Sequence, residues 1–191
     1  LLNATIYEGN YNPDSVYDMA CSRAFSGCRN LQNVSIDNNV KALYYTFGNC
    51  YNLRQISVPQ GAIGLPYAFY NCVNLACDVE IGILCNNMSH AFWGCNNIQN
   101  VYIAGNGIGL ITYYSYVLNA FYRNNYSTRR NIVIGNYEGW NKFLAFNGAG
   151  NFIKTNETYA EPVEVNVNGI SYNCVRCGYN TTYNCYIYCV E

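Results

Sequence analysis

Apolar residues return along this chain at a fixed interval. Phe25, Cys28 and Leu31 are followed by Phe47, Cys50 and Leu53, then by Phe69, Cys72 and Leu75, and then by Phe92, Cys95 and Ile98. Equivalent Phe and Cys positions step by 22, 22 and 23 residues. A period of this length marks one supersecondary unit per repeat, stacked so that neighbours bury each other's apolar edges. Within a unit, the three-residue spacing of Phe, Cys and Leu places them on one face of a short helical turn. Val34 and Ile36 then alternate with Asn33 and Ser35, which predicts a strand with one buried face. Each repeat reads as turn, helical turn and short strand, and the array as a right-handed α/β repeat solenoid of about 22 residues per coil.

The pattern has local departures. Leu1-x-x-Ala4-x-Ile6 has the spacing of Leu31-x-x-Val34-x-Ile36, so the chain reads as entering the array at a strand. In the third repeat, Leu75 to Val79 is one residue longer than Leu53 to Ile56, which predicts a bulge. Residues 104–119 form an insertion with Gly105, Gly107 and Gly109 before Tyr113, Tyr114 and Tyr116, read as an aromatic-rich loop. The fifth repeat is degenerate, with Asn124 and Ser127 at the Cys and Leu positions and with Arg123, Arg129 and Arg130 reading as a solvated basic corner in preference to an anion or acidic-partner site. Residues 137–146 put Trp140, Phe143 and Leu144 on one helical face, closed by Gly148. The repeat domain is thus placed at 1–152 and a Cys/Tyr-rich β tail at 153–191. In the tail, Val163, Val165 and Val167 alternate up to Asn168-Gly169, a hairpin signal, and residues 183–190 form a further strand. The tail either caps the array or adds strands to a neighbour.

Composition narrows the function. Charged residues are 11% of the chain and the net charge is -1, which leaves no basis for nucleic-acid binding through phosphate neutralisation. No apolar run reaches the roughly 18 residues of a membrane span, and no targeting peptide is visible. Twenty-one Tyr and many Asn suit a recognition surface, although a biased composition explains them equally. Eleven Cys invite a disulfide reading, but Cys28, Cys50, Cys72 and Cys95 lie on the repeat period. Stacked one strand spacing apart, their side chains point in parallel, so they read as a buried ladder of thiols.

Candidate chemistry is sparse. Cys174-Val175-Arg176-Cys177-Gly178 with Cys185 and Cys189 has part of a zinc-knuckle form, but Cys185 and Cys189 lie about 13 Å apart along one strand face. Tail disulfides and free thiols are the other readings of these four residues. His90, the single histidine, has no recurring orienting group for a Cys-His nucleophile pair and reads as structural or exposed. Asp78 and Glu80 share one strand face without an argument for general acid–base work. Neither a catalytic residue nor a cofactor is predicted. Six Asn-x-Ser/Thr triplets, at Asn3, Asn33, Asn87, Asn125, Asn156 and Asn180, are about twice what composition alone gives, a weak glycosylation signal. The strongest candidate is the outward face of the strands, where Asn33 and Ser35, Gln55 and Ser57, Asp78 and Glu80, and Asn100 and Tyr102 align in rows, continued by Asn131 and Val133. Solenoids bind partners along such surfaces, and the same positions also read simply as solvated strand residues.

Ala-Phe-x-Gly/Asn-Cys-x-Asn-Leu followed by x-x-Val-x-Ile, over about residues 20–134, resembles the BspA-like leucine-rich repeat family. Asn87-Met88-Ser89-His90-Ala91-Phe92 is similar to a motif of related surface repeats. The resemblance implies a non-enzymatic protein of bacterial or protist surfaces that adheres to proteins or cells, or a phage tail or head fibre component. The sequence therefore predicts an extracellular, cell-surface or virion-surface recognition module binding protein or glycan through the sheet face. The alternative is a structural subunit that packs end to end on copies of itself.

Overall fold

The computed structural model describes residues 2–7, 21–104, 120–122, 129–135, 153–154, 162–180 and 185–190, and the statements below concern these residues. The insertion at 105–119, Arg123, the 137–146 segment, and Asn125 and Asn156 lie outside them, as do the side chains of Cys177 and Asn180.

The described chain is built from nine strands. They are β1 (Asn3–Ile6), β2 (Asn33–Ile36), β3 (Val79–Ile81), β4 (Asn100–Ile103), β5 (Arg130–Ile134), β6 (Ile153–Lys154), β7 (Val163–Val167), β8 (Ile170–Asn180) and β9 (Cys185–Val190). β1 and β2 pair in parallel, and β3, β4, β5 and β9 form a second parallel run. Between these two sheets, the second repeat contributes a single bridge, Asn33 to Gln55. The ladder is lost at the third repeat's extra residue, where the Cys77 thiol reaches the Ile56 carbonyl at 3.7 Å.

Among the described residues there is no helix, which corrects the α/β reading. The Phe-Cys-Leu segments are chains of tight turns. In the first four repeats the residues two before and two after the Phe have positive φ: Arg23 and Gly27, Tyr45 and Asn49, Tyr67 and Asn71, His90 and Gly94. A left-handed residue at every fourth position breaks the α-helical path, and Gly and Asn are the residues that adopt it at least cost. Alternate N–H groups then face two ways. Those of Ala24, Ser26 and Cys28 bond three residues back, while those of Arg23, Phe25 and Gly27 bond to Tyr44, Thr46 and Gly48 carbonyls of the next repeat at 2.8–3.1 Å. The same forward bonds run from Tyr45, Phe47 and Asn49 to Pro66, Ala68 and Tyr70, and from Tyr67, Phe69 and Asn71 to Ser89, Ala91 and Trp93.

This turn layer and the strands enclose one core. Phe25, Phe47, Phe69, Phe92 and Phe121 form a column of nearly parallel rings with centroids 5.3–5.6 Å apart. Leu31, Leu53, Leu75 and Ile98 are fully buried behind it. In the following repeat Arg130 is buried. Its guanidinium donates to the carbonyls of Ile98 (3.0 Å), Phe121 (2.7 Å) and Cys95 (2.7 Å). This corrects the solvated reading for Arg130, which is a strut between repeats; Arg129 is exposed and lies over the Tyr186 ring at 4.5 Å.

The tail continues the sheet. β9 takes the place of the next repeat's strand, parallel to β5, and β8 returns antiparallel along it. A bulge between Arg176 and Gly178 interrupts β8. Beyond it, the β7–β8 hairpin folds over the front of the sheet. There Val165, Val167, Cys174 and Tyr188 close a second core against Val133, with Tyr102 and Tyr172 at its edge.

Candidate recognition surface

The front of the sheet carries the rows read from the sequence, and the hairpin divides them. Asn33, Ser35, Gln55 and Ser57 are exposed, whereas Asp78, Glu80, Asn100 and Tyr102 are half-buried. At the hairpin tip, the Asn168 backbone N–H donates to Asp78 Oδ2 at 3.0 Å and its side-chain amide donates to Glu80 Oε1 at 3.1 Å. Tyr172 stacks on Tyr102 with centroids 4.3 Å apart. Half of the predicted face thus already holds a segment of its own chain.

Side chains along the front also bond to each other. Parallel in-register pairing sets equivalent positions one strand spacing apart, within reach of an amide. Asn33 donates to Asn3 at 3.0 Å, Asn100 to Asp78 at 3.0 Å and Asn131 to Asn100 at 2.8 Å. The ladder stops at Tyr186, which faces Asn131 without an amide, and Asn131 Oδ1 is buried with no hydrogen-bond partner.

The periodic cysteines lie behind the front. Cys50, Cys72 and Cys95 are fully buried, and Cys28 is half-buried. Each buried thiol donates to the Phe carbonyl of the preceding repeat, Cys50 to Phe25, Cys72 to Phe47 and Cys95 to Phe69, at 3.0–3.1 Å. That carbonyl also accepts the N–H three residues on, so both of its lone pairs are used. Burial pushes the Cys50 thiol up to about 11, Cys95 to about 12 and Cys72 well above its ordinary value. Thiols held neutral in this way are poor nucleophiles and poor metal ligands. In the tail, Cys189 is disulfide-bonded, and Cys174 and Cys185 are buried. Cys174 belongs to the front core, while Cys185 and Cys189 face the main one. The structure thus places Cys174 in a different cluster from Cys185 and Cys189, and among the described residues no group of three or more His, Cys, Asp or Glu could hold a metal.

Two further columns went unread in the sequence. Tyr45, Tyr67 and His90 occupy the position two before the Phe, and Tyr70, Trp93 and Tyr122 the position one after it. Their rings form a half-buried array on the turn side, closest between Trp93 and Tyr122 at 4.2 Å and between Tyr67 and His90 at 4.6 Å. Arg23 lies over the Tyr45 ring at 5.6 Å, and Asn49 donates to the Tyr45 hydroxyl at 3.1 Å. Gly48 allows the Tyr45 ring to lie flat, because a Cβ there would collide with it. His90 Nδ1 pairs with the Ser89 hydroxyl at 2.9 Å, and burial lowers its pKa. The signal was available: rings recur two residues before the Phe at 45, 67 and 90 and one residue after it at 70, 93 and 122.

Among the described residues no helix is long and apolar enough to cross a membrane. No curated protein and no solved structure matches the chain significantly. A model of the BspA type leucine-rich repeat region matches six copies over residues 18–129. That is more than half of the chain, and it covers the turn layer, the Phe and Cys columns and the front rows: the chain belongs to the BspA-type leucine-rich repeat family.

Proposed function

We propose that the chain is a non-enzymatic recognition module at a cell or virion surface, wound as a solenoid, which takes a protein segment on the open half of its sheet front. The observation that carries this reading is the β7–β8 hairpin seated on the other half. There, polypeptide meets the front through a backbone N–H to Asp78, an amide to Glu80 and a Tyr102–Tyr172 stack. The floor of Asn33, Ser35, Gln55 and Ser57 offers exposed, uncharged amides and hydroxyls. A family of interaction repeats and neutral, buried thiols agree with a module that lacks catalysis.

Random peptides displayed and selected on the wild-type protein test the reading. Selected peptides lose binding to a Ser35→Arg/Ser57→Arg variant of unchanged melting temperature. Equal binding to that variant removes the front from consideration. End-to-end packing of copies is a second reading, favoured by the half-exposed Phe25 and Cys28, whose counterparts in the next repeats are fully buried. A sedimentation profile of monomer at all concentrations overturns it.

A further inference from the structure

The turn-side aromatic array is separate from the sheet front and plays no part in the reading above. Its rings stack along the direction of the repeats: Tyr67 on His90, Tyr70 on Trp93, Trp93 on Tyr122. Rings stacked in this way cover each other's faces and turn their edges to solvent. An aromatic edge is the positive side of the ring quadrupole, so a ridge of edges favours a negative ligand. The surrounding sequence reinforces that sign. Residues 38–77 and 81–137 contain no Asp or Glu, and the exposed Arg23 closes one end of the ridge over Tyr45. Asn49 and Asn71 run alongside as an amide pair, with Asn71 donating to Asn49 at 3.1 Å, and offer polar groups that suit hydroxyls. A ring recurs two residues before the Phe at Tyr45, Tyr67 and His90 and one residue after it at Tyr70, Trp93 and Tyr122, so the ridge is periodic along its length.

A periodic, weakly positive surface with hydroxyl-binding groups matches a ligand that is itself periodic, anionic and rich in hydroxyls. We propose that the ridge of Tyr45, Tyr67, Tyr70, His90, Trp93 and Tyr122, with Arg23 at its end, binds a linear acidic polysaccharide of the uronic-acid type. Sugar carboxylates lie against Arg23 and the ring edges, and sugar hydroxyls bond to the Tyr hydroxyls and the Asn amides.

Trp93 stands within the ridge and reports on it. The chain has two Trp, so a Trp140→Phe background leaves Trp93 as the single indole. The probe is hexagalacturonate, with its methyl ester as the uncharged counterpart and a twelve-residue oligothymidylate as an unrelated polyanion. The expected result is a saturable change in Trp93 emission with hexagalacturonate, binding at least about tenfold weaker for the ester, and none for the oligonucleotide. Arg23→Gln, checked for an unchanged melting temperature, weakens binding by about tenfold, the order expected for one charge-assisted hydrogen bond. Ser35→Arg on the sheet front leaves it unchanged, so failure here is distinguishable from failure of the front site. The proposal is overturned by no saturable response, by equal affinity for the ester or the oligonucleotide, or by an Arg23→Gln variant that binds as wild type.

Discussion

At the scale of single residues, the periodic cysteines act as hydrogen-bond donors rather than as reactive groups. A leucine at these positions would fill the space but leave the second lone pair of each Phe carbonyl unused; the thiol fills it and bonds. Burial raises the Cys50, Cys72, Cys85 and Cys95 thiols, which means the folded chain holds their protons more tightly than the unfolded chain does. Stability from these groups is complete below the ordinary thiol pKa of about 8.5 and is lost as pH rises toward 11–12. Urea midpoints are therefore expected to fall between pH 9 and 11, by roughly 1–3 kcal/mol for each fully buried thiol. A flat profile over that range would show the column to be solvated. His90 shifts the other way, so its contribution is complete above its ordinary pKa of about 6.5 and is lost as pH falls below that toward its lowered folded value.

At the scale of elements, the turn layer decides the fold, and it separates what the sequence showed from what it did not. The period, the strands at Asn33–Ile36 and Asn100–Ile103 and the buried Phe, Cys and Leu columns follow from spacing. The helical turn did not survive, because a three-residue spacing of apolar groups also fits successive tight turns. The deciding mark is Gly27, Asn49, Asn71 and Gly94 two residues after each Phe, a residue choice that signals a left-handed backbone. Arg23, Tyr45, Tyr67 and His90 carry no such mark; the positive φ of Arg23, Tyr45 and Tyr67 is held by their forward hydrogen bonds. Two glycines separate backbone strain from crowding. A Cβ on Gly27 meets nothing within 4 Å, so Gly27→Ala is expected to cost about 1 kcal/mol from φ alone. On Gly94 a Cβ would lie 3.0 Å from Asn71 Oδ1 and 3.4 Å from its Cα, so Gly94→Ala is expected to cost more. Equal costs by urea denaturation would mean that Asn71 gives way freely.

At the scale of the whole molecule, the tail is both an extension of the sheet and a cover for it. Asn168-Gly169 announced the hairpin, but its docking on Asp78 and Glu80, ninety residues earlier in the chain, depends on the bend at the β8 bulge. No local pattern carries that. Asp78→Ala removes the acceptor of the Asn168 N–H and leaves the Val165–Val167–Tyr188 core in place. Hydrogen exchange at residues 168–172 is expected to quicken severalfold while β9 is unaffected. Unchanged exchange at the tip would assign the docking to the apolar contacts alone.

The forward hydrogen bonds of the turn layer give the array a direction that matters when it is made. Each coil leaves the ribosome with the N–H groups of its left-handed turns unpaired, and only the coil synthesised after it supplies the carbonyls. Assembly therefore trails synthesis by one repeat, because the forward donors of each coil wait for the carbonyls of the next. Buried N–H groups tolerate such orphaning less well than carbonyls, which keep a second lone pair. Loss of coils from the C-terminal side should on that account harm the array more than equal loss from the N-terminal side.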